Sequence, residues 1–135
     1  MIIKEIYVED TWEIRHKVMW PEKDLNYVKL KDDHKGKHYG VFEENKMVSV
    51  ISLFFSEDGA QFRKFATLKE EQGKGYGGQL LKFVMEKTKK DGINHIWCNA
   101  RYDKIDFYKK FGMVETNESF QKGGIDYIIM RKYLK

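Results

Sequence analysis

Three runs of alternating apolar character constrain this chain most: His38–Glu43, Met47–Ser56 and Ala60–Leu68. Only Glu44-Asn45-Lys46 and Glu57-Asp58-Gly59 separate them, and both segments have turn chemistry. Short polar connections between strand-like runs leave no room for a crossover, so the runs predict an antiparallel meander. Directly after the third run the chain reads EEQGKGYGGQLL, and four of its eleven glycines fall between Gly73 and Gly78. From Tyr76 onward Leu80, Leu81, Val84 and Met85 recur at helical spacing. Glycines bunched in front of a helix let backbone N–H groups close around an anion.

The rest of the chain extends this frame. Ile2–Val8 predicts a first strand, and Thr11 is placed to cap a short helix through about Met19, stopped by Trp20-Pro21. Residues 22–36 are polar and read as a loop with room for one short helix. Asp91-Gly92 ends the long helix, Ile93–Ala100 predicts a strand, and Asp103 is placed to cap a helix over Lys104–Phe111 that stops at Gly112. Met113–Phe120 and Asp126–Leu134 predict a closing pair of strands around Lys122-Gly123-Gly124. The expected fold class is α/β (α+β): one three-layer αβα domain over 1–135, with a mixed, largely antiparallel sheet of six to seven strands.

Charge and composition exclude several classes. Twenty-five basic and 21 acidic residues leave a net charge of +4, too dispersed to predict nucleic-acid binding. The single cysteine, Cys98, allows no intrachain disulfide, and no apolar run approaches ~18 residues. A cytoplasmic protein without membrane contact, monomeric or homodimeric, is expected. Asp32, Asp33, His34 and His38 fit no zinc spacing, so no metal is expected. Cys98 lies in an apolar strand and reads as an inert buried thiol. The lysines of 82–90 read as a solvated helix face, and Arg101-Tyr102 as either a substrate contact or a cover for the sheet edge.

Two nucleotide readings of the glycine loop fail. Gly73-x-Gly75-x-x-Gly78 matches the dinucleotide fingerprint literally, yet the loop follows a meander rather than a βαβ unit, and Ile93–Cys98 supplies no acid for a ribose. Neither Gly-Lys pair is followed by Ser or Thr, since Gly36-Lys37 precedes His38 and Gly73-Lys74 precedes Gly75, so the P-loop of nucleoside triphosphatases is absent.

Gln72-Gly73-Lys74-Gly75-Tyr76-Gly77 instead resembles Q/R-x-x-G-x-G/A, the acyl-CoA pyrophosphate loop of the GNAT superfamily of N-acetyltransferases. Arg63–Glu71 resembles the strand and turn before that loop. Ile105–Met113 resembles the family's second signature, with Met113 where Phe is usual. The tail from Phe120 to Met130 is similar to a branch of small bacterial acyltransferases of unassigned substrate. The resemblance covers nearly the whole chain, most specifically residues 61–114.

It implies an acyl-CoA-dependent N-acyltransferase that takes acetyl-CoA as donor and an amine of a small molecule or peptide as acceptor. It implies that Gln72, Gly73, Lys74, Gly75, Tyr76, Gly77 and Gly78 surround the pyrophosphate. It further implies that Phe65, Ala66 and Thr67 offer main-chain groups to pantetheine, with an N–H near Thr67 polarising the thioester. Asn99, at the C-terminal end of its strand, is placed to bond the pantetheine arm or a water near it, or else serves as an ordinary strand-end turn former. Tyr108 stands at the family position of the acid that protonates the departing thiolate. The position of the histone-type general base falls on Gln61, which accepts no proton; a water chain, His38 or an acceptor amine of low pKa is left for that task. That departure keeps open a second reading, a coenzyme A-binding sensor without activity.

Overall fold

The meander forms as expected. In the computed structural model, which describes residues 1–135, β2 (Lys37–Glu43), β3 (Lys46–Ser56) and β4 (Gly59–Thr67) pair antiparallel in sequence order. Glu44 and Asn45 both take positive φ, 52° and 68°, the geometry of a tight hairpin whose twist matches its strands. β1 (Ile2–Ile6) adds antiparallel to β2. β5 (His95–Arg101) joins β4 in parallel, and β7 (Ile125–Tyr133) inserts between β5 and β6 (Val114–Lys122), antiparallel to both. The result is one mixed sheet of order β1-β2-β3-β4-β5-β7-β6.

Helices cover both faces. α2 (Tyr76–Lys90) buries Leu80, Leu81, Val84 and Met85 against Tyr39, Val41, Ile51, Leu53 and Phe62 in the main core. Each such aliphatic side chain contributes about 1.5–3 kcal/mol of transfer free energy. α3 (Ile105–Lys109) packs on the same core through Ile105, Phe107 and Tyr108. α1 (Trp12–Met19) lies on the opposite face, where Ile14 meets Val50, Ala66 and Leu68. Gly92 (φ 83°) and Gly112 (φ 87°) take the left-handed conformation past the ends of α2 and α3. No helix is long and apolar enough to cross a membrane.

Three local expectations differ. Thr11 is helical itself, and its hydroxyl donates to the Val8 carbonyl at 2.7 Å, so it closes a preceding 3-10 turn instead of capping α1. Asp103 lies within a 3-10 turn, Tyr102–Lys104, and makes no cap, which shortens α3. The 22–36 segment holds two 3-10 turns, Leu25–Val28 and Asp33–Lys35, fastened by Asp24 and Asp33 carboxylates that accept from the N–H groups of Asn26 and Leu30.

Candidate active site

The two central parallel strands part company early. β4 pairs with β5 only at Ala60↔Ile96 and Gln61↔Trp97, although β4 runs on to Thr67. The cause is a bulge. Lys64 takes φ 53°, and the β3–β4 register slips between Ser52↔Arg63 and Val50↔Ala66. β4 therefore bends away from β5 and opens a wedge. The Leu68 N–H donates to the Val48 carbonyl at 2.9 Å, so by alternation Thr67 and Phe65 turn their main chains into the wedge. Ala66 does not: it pairs with Val50, its carbonyl accepts from the Ser49 hydroxyl at 3.1 Å, and its side chain is buried. The expectation that Ala66 offers main-chain groups to a ligand is corrected on that ground.

The glycine loop closes the wide end of the wedge. The N–H groups of Gly73, Lys74, Gly75, Tyr76, Gly77 and Gly78 donate to no acceptor in the protein; the first bond of the helix runs from the Gln79 N–H to the Gly75 carbonyl at 3.0 Å. Gly73 and Gly75 take φ 80° and 89° with open space where a Cβ would stand, so their need for glycine is conformational. Gly77 and Gly78 serve packing. A Cβ on Gly78 would lie 2.9 Å from the Phe111 ring and one on Gly77 3.2 Å from the Thr67 hydroxyl. This run of unpaired donors at the positive end of α2 is a cradle for an anion.

The side chains around the loop divide. The Gln72 amide donates to the Thr67 carbonyl at 3.0 Å and ties the loop to β4. Tyr76 reaches the other way, donating to Glu43 at 3.2 Å, and leaves its N–H to the cradle. Lys74 donates to Glu71 at 2.8 Å in an exposed ion pair that lowers the Glu71 carboxyl's pKa; such pairs exchange readily for a stronger anion.

Tyr108 stands on the α2 side of the wedge. Its ring lies 5.6 Å from Phe62 and 5.4 Å from Phe107, centroid to centroid, and no protein group bonds its hydroxyl. Burial, then Cys98 and Asp103, raise its phenol above the ordinary value, so it holds its proton at neutral pH. Cys98 is buried and its thiol is pushed up to about 12 by burial, the inert state expected of it. Asn99 is exposed on β5, two positions past the last β4–β5 pair and on the face opposite Cys98. Gln61 stands opposite Trp97.

His38 is removed as a base. It is 4% exposed, its Nε2 donates to the Asp33 carbonyl at 2.8 Å, and its Nδ1 accepts from the Ser52 hydroxyl at 2.7 Å. Burial lowers its pKa, which agrees with this neutral tautomer. It belongs to a network that the linear sequence does not display. Arg15 donates to both oxygens of Asp33 at 2.8 and 2.9 Å, to Ser52 at 2.8 Å and to the Val28 carbonyl at 3.0 Å. Burial alone would raise the Asp33 pKa; Arg15 and the Leu30 N–H hold it below the usual carboxylate value. The network fastens the 22–36 segment to α1 and β3. A groove of about 760 Å³ beside β1, lined in part by Lys4, Glu5 and Phe42, lies across β2 and β3 from the wedge and takes no part in it.

Comparison with known proteins places this geometry. The profile described as Acetyltransferase (GNAT) domain matches residues 13–134. The uncharacterised N-acetyltransferase YitI of Bacillus subtilis is 34% identical, over 98% of this chain and 96% of its own. A candidate N-acetyltransferase from Lactobacillus plantarum superposes with a TM-score of 0.87 at 20% identity, covering 100% of both chains. A GNAT family acetyltransferase from Elizabethkingia anophelis, solved with acetyl-CoA bound, gives 0.78 at 19% identity over 98% of this chain and 97% of its own. The profile match over nearly the whole chain and the identity to YitI show that the chain belongs to the GNAT acetyltransferase family.

Proposed function

We propose that this protein transfers an acetyl group from acetyl-CoA to a primary amine of a small molecule or peptide, by direct attack within a ternary complex. The observation that carries the reading is the run of unpaired amides from Gly73 to Gly78, set at the end of a strand whose own main chain faces an open wedge. A pyrophosphate satisfies the amides, with Lys74 released from Glu71 to meet it. Pantetheine amides pair with Phe65 and Thr67 as an added strand would. An N–H there polarises the thioester carbonyl.

The amine nitrogen then attacks that carbonyl carbon, the carbon–sulfur bond breaks, and the thiolate takes the Tyr108 proton. Tyr108 is protonated at neutral pH and its hydroxyl is bonded to no protein group, so its proton is free to be donated as the thiolate departs. The proton lost by the amine passes to water, since Gln61 accepts none and His38 is committed elsewhere. A covalent acetyl-enzyme on Cys98 finds no support, because that thiol is buried and protonated. Gln61 favours one second reading, a coenzyme A-binding sensor.

The test follows free thiol release from acetyl-CoA with a panel of amines, beside calorimetric titration of acetyl-CoA. Binding with amine-dependent release supports the enzyme. Binding without release for any amine supports the sensor, and absence of binding refutes both.

A further inference from the structure

The acceptor side of the wedge carries charge that the fold leaves unbalanced. Ala60, Phe62, Cys98 and Met130 all point into the main core. Side chains alternate along a strand, so Gln61, Arg63, Trp97, Asn99 and Arg131 face the other way, onto the side that carries α1. The register Phe120↔Tyr127 and Lys122↔Ile125 brings Lys122 to the same face. α1 packs over β3 and β4 and leaves the β5–β7–β6 part of this face without a helix.

Lys64 sits where the covered and uncovered parts meet. It is the extra residue of the bulge, in a left-handed conformation uncommon for lysine, and it is half-buried. Neither Lys64, Arg63 nor Lys122 forms an ion pair or a side-chain hydrogen bond. Burial, then repulsion from Arg63, Arg15 and Lys122, lowers the Lys64 amine to about 8. Asp33 alone pulls the other way, and both its oxygens are taken by Arg15. A half-buried cation among cations, with no carboxylate of its own, lacks a counter-charge.

We propose that the acceptor amine carries an anionic group, a carboxylate or a phosphate, and that Lys64 seats it with Arg63 and Lys122 beside it. This rests on the acyltransferase reading. The coenzyme's pyrophosphate is not that anion, because its cradle lies beyond Thr67, at least ~10 Å along β4 from Lys64. The thioester lies beside Phe65 and Thr67. An anion on Lys64 therefore stands next to the reacting centre and holds a nearby amine of the same molecule toward it.

Matched acceptors test this: glycine against glycinamide, β-alanine against β-alaninamide, phosphoethanolamine against ethanolamine, each with acetyl-CoA. The anionic member of at least one pair should show a kcat/KM at least about tenfold higher, a difference of ~1.4 kcal/mol. Lys64→Met should bring that ratio close to one with acetyl-CoA affinity retained, and Lys64→Arg should keep the preference. A preference that is absent, or that survives Lys64→Met, overturns the proposal. So does intact-mass evidence that the acetyl group ends on Lys64 itself.

A second measurement needs no turnover. In protein carrying 15N-lysine and saturated with acetyl-CoA, acetate or inorganic phosphate should raise the Lys64 pKa from about 8 toward the ordinary ~10.4. No rise with either anion overturns the seat. If no amine of either class releases thiol, the acyltransferase reading is what fails, and the titration still decides whether Lys64 holds an anion.

Discussion

Asp33→Ala should be the most damaging single change outside the main core. Arg15 is 0% exposed and Asp33 1%. The carboxylate accepts from two guanidinium nitrogens at 2.8 and 2.9 Å, from the Leu30 N–H at 2.9 Å and from the Trp12 indole at 3.2 Å. Alanine removes all of these at once. Arg15 keeps only Val28 and Ser52 as partners, and its Nε is already buried without one. Breaking a buried pair from one side costs about 3–5 kcal/mol, since a charge is left without compensation. Native stabilities run to about 5–15 kcal/mol, so about a fifth or more of the total is at stake. For a chain of this length that is a fall in Tm of roughly 10–20 °C.

Urea unfolding followed by circular dichroism, with thermal melts beside it, measures the loss. The double variant Arg15→Met with Asp33→Leu should recover most of it, because no charge is then buried. A loss under about 1 kcal/mol for Asp33→Ala would refute the account of the network.

Tyr108→Phe should lower kcat and kcat/KM together by roughly 10²–10⁴, with acetyl-CoA affinity intact; full activity would defeat the proton-donor role. Gly75→Asp should weaken acetyl-CoA binding at least about tenfold by calorimetry while the protein stays folded, since a side chain there meets open space and only the positive φ opposes it. The lowered His38 pKa means that the unfolded chain takes the proton first. Its contribution to stability should be complete above about pH 6.5 and lost as pH falls through the lower folded value. His38→Gln should flatten that part of a urea-midpoint against pH curve, and an unchanged slope would count against a neutral, buried His38.

The sequence by itself determined the order of elements, the meander, the anion loop and the family. Those features are local. Short polar hairpin connections, a helical stripe from Leu80 to Met85 and glycines that must take positive φ are all written within a few residues of one another. Gly77 and Gly78 looked like part of the same loop signal, but only packing against Thr67 and Phe111 gave their reason. Tertiary structure alone decided the rest. Whether β4 stays beside β5 depends on a one-residue slip at Lys64, and lysine carries no propensity that announces a left-handed bulge. Ala66 lost its expected role because alternation within a strand follows from which neighbour it pairs with. Arg15, Asp33, His38 and Ser52 lie on separate elements, and nothing in their spacing marks them as one network. Burial then turned Asp33 and His38 from surface groups into committed partners, and left Lys64 half-buried with no carboxylate of its own, because desolvation and pairing depend on what the folded chain packs around a side chain.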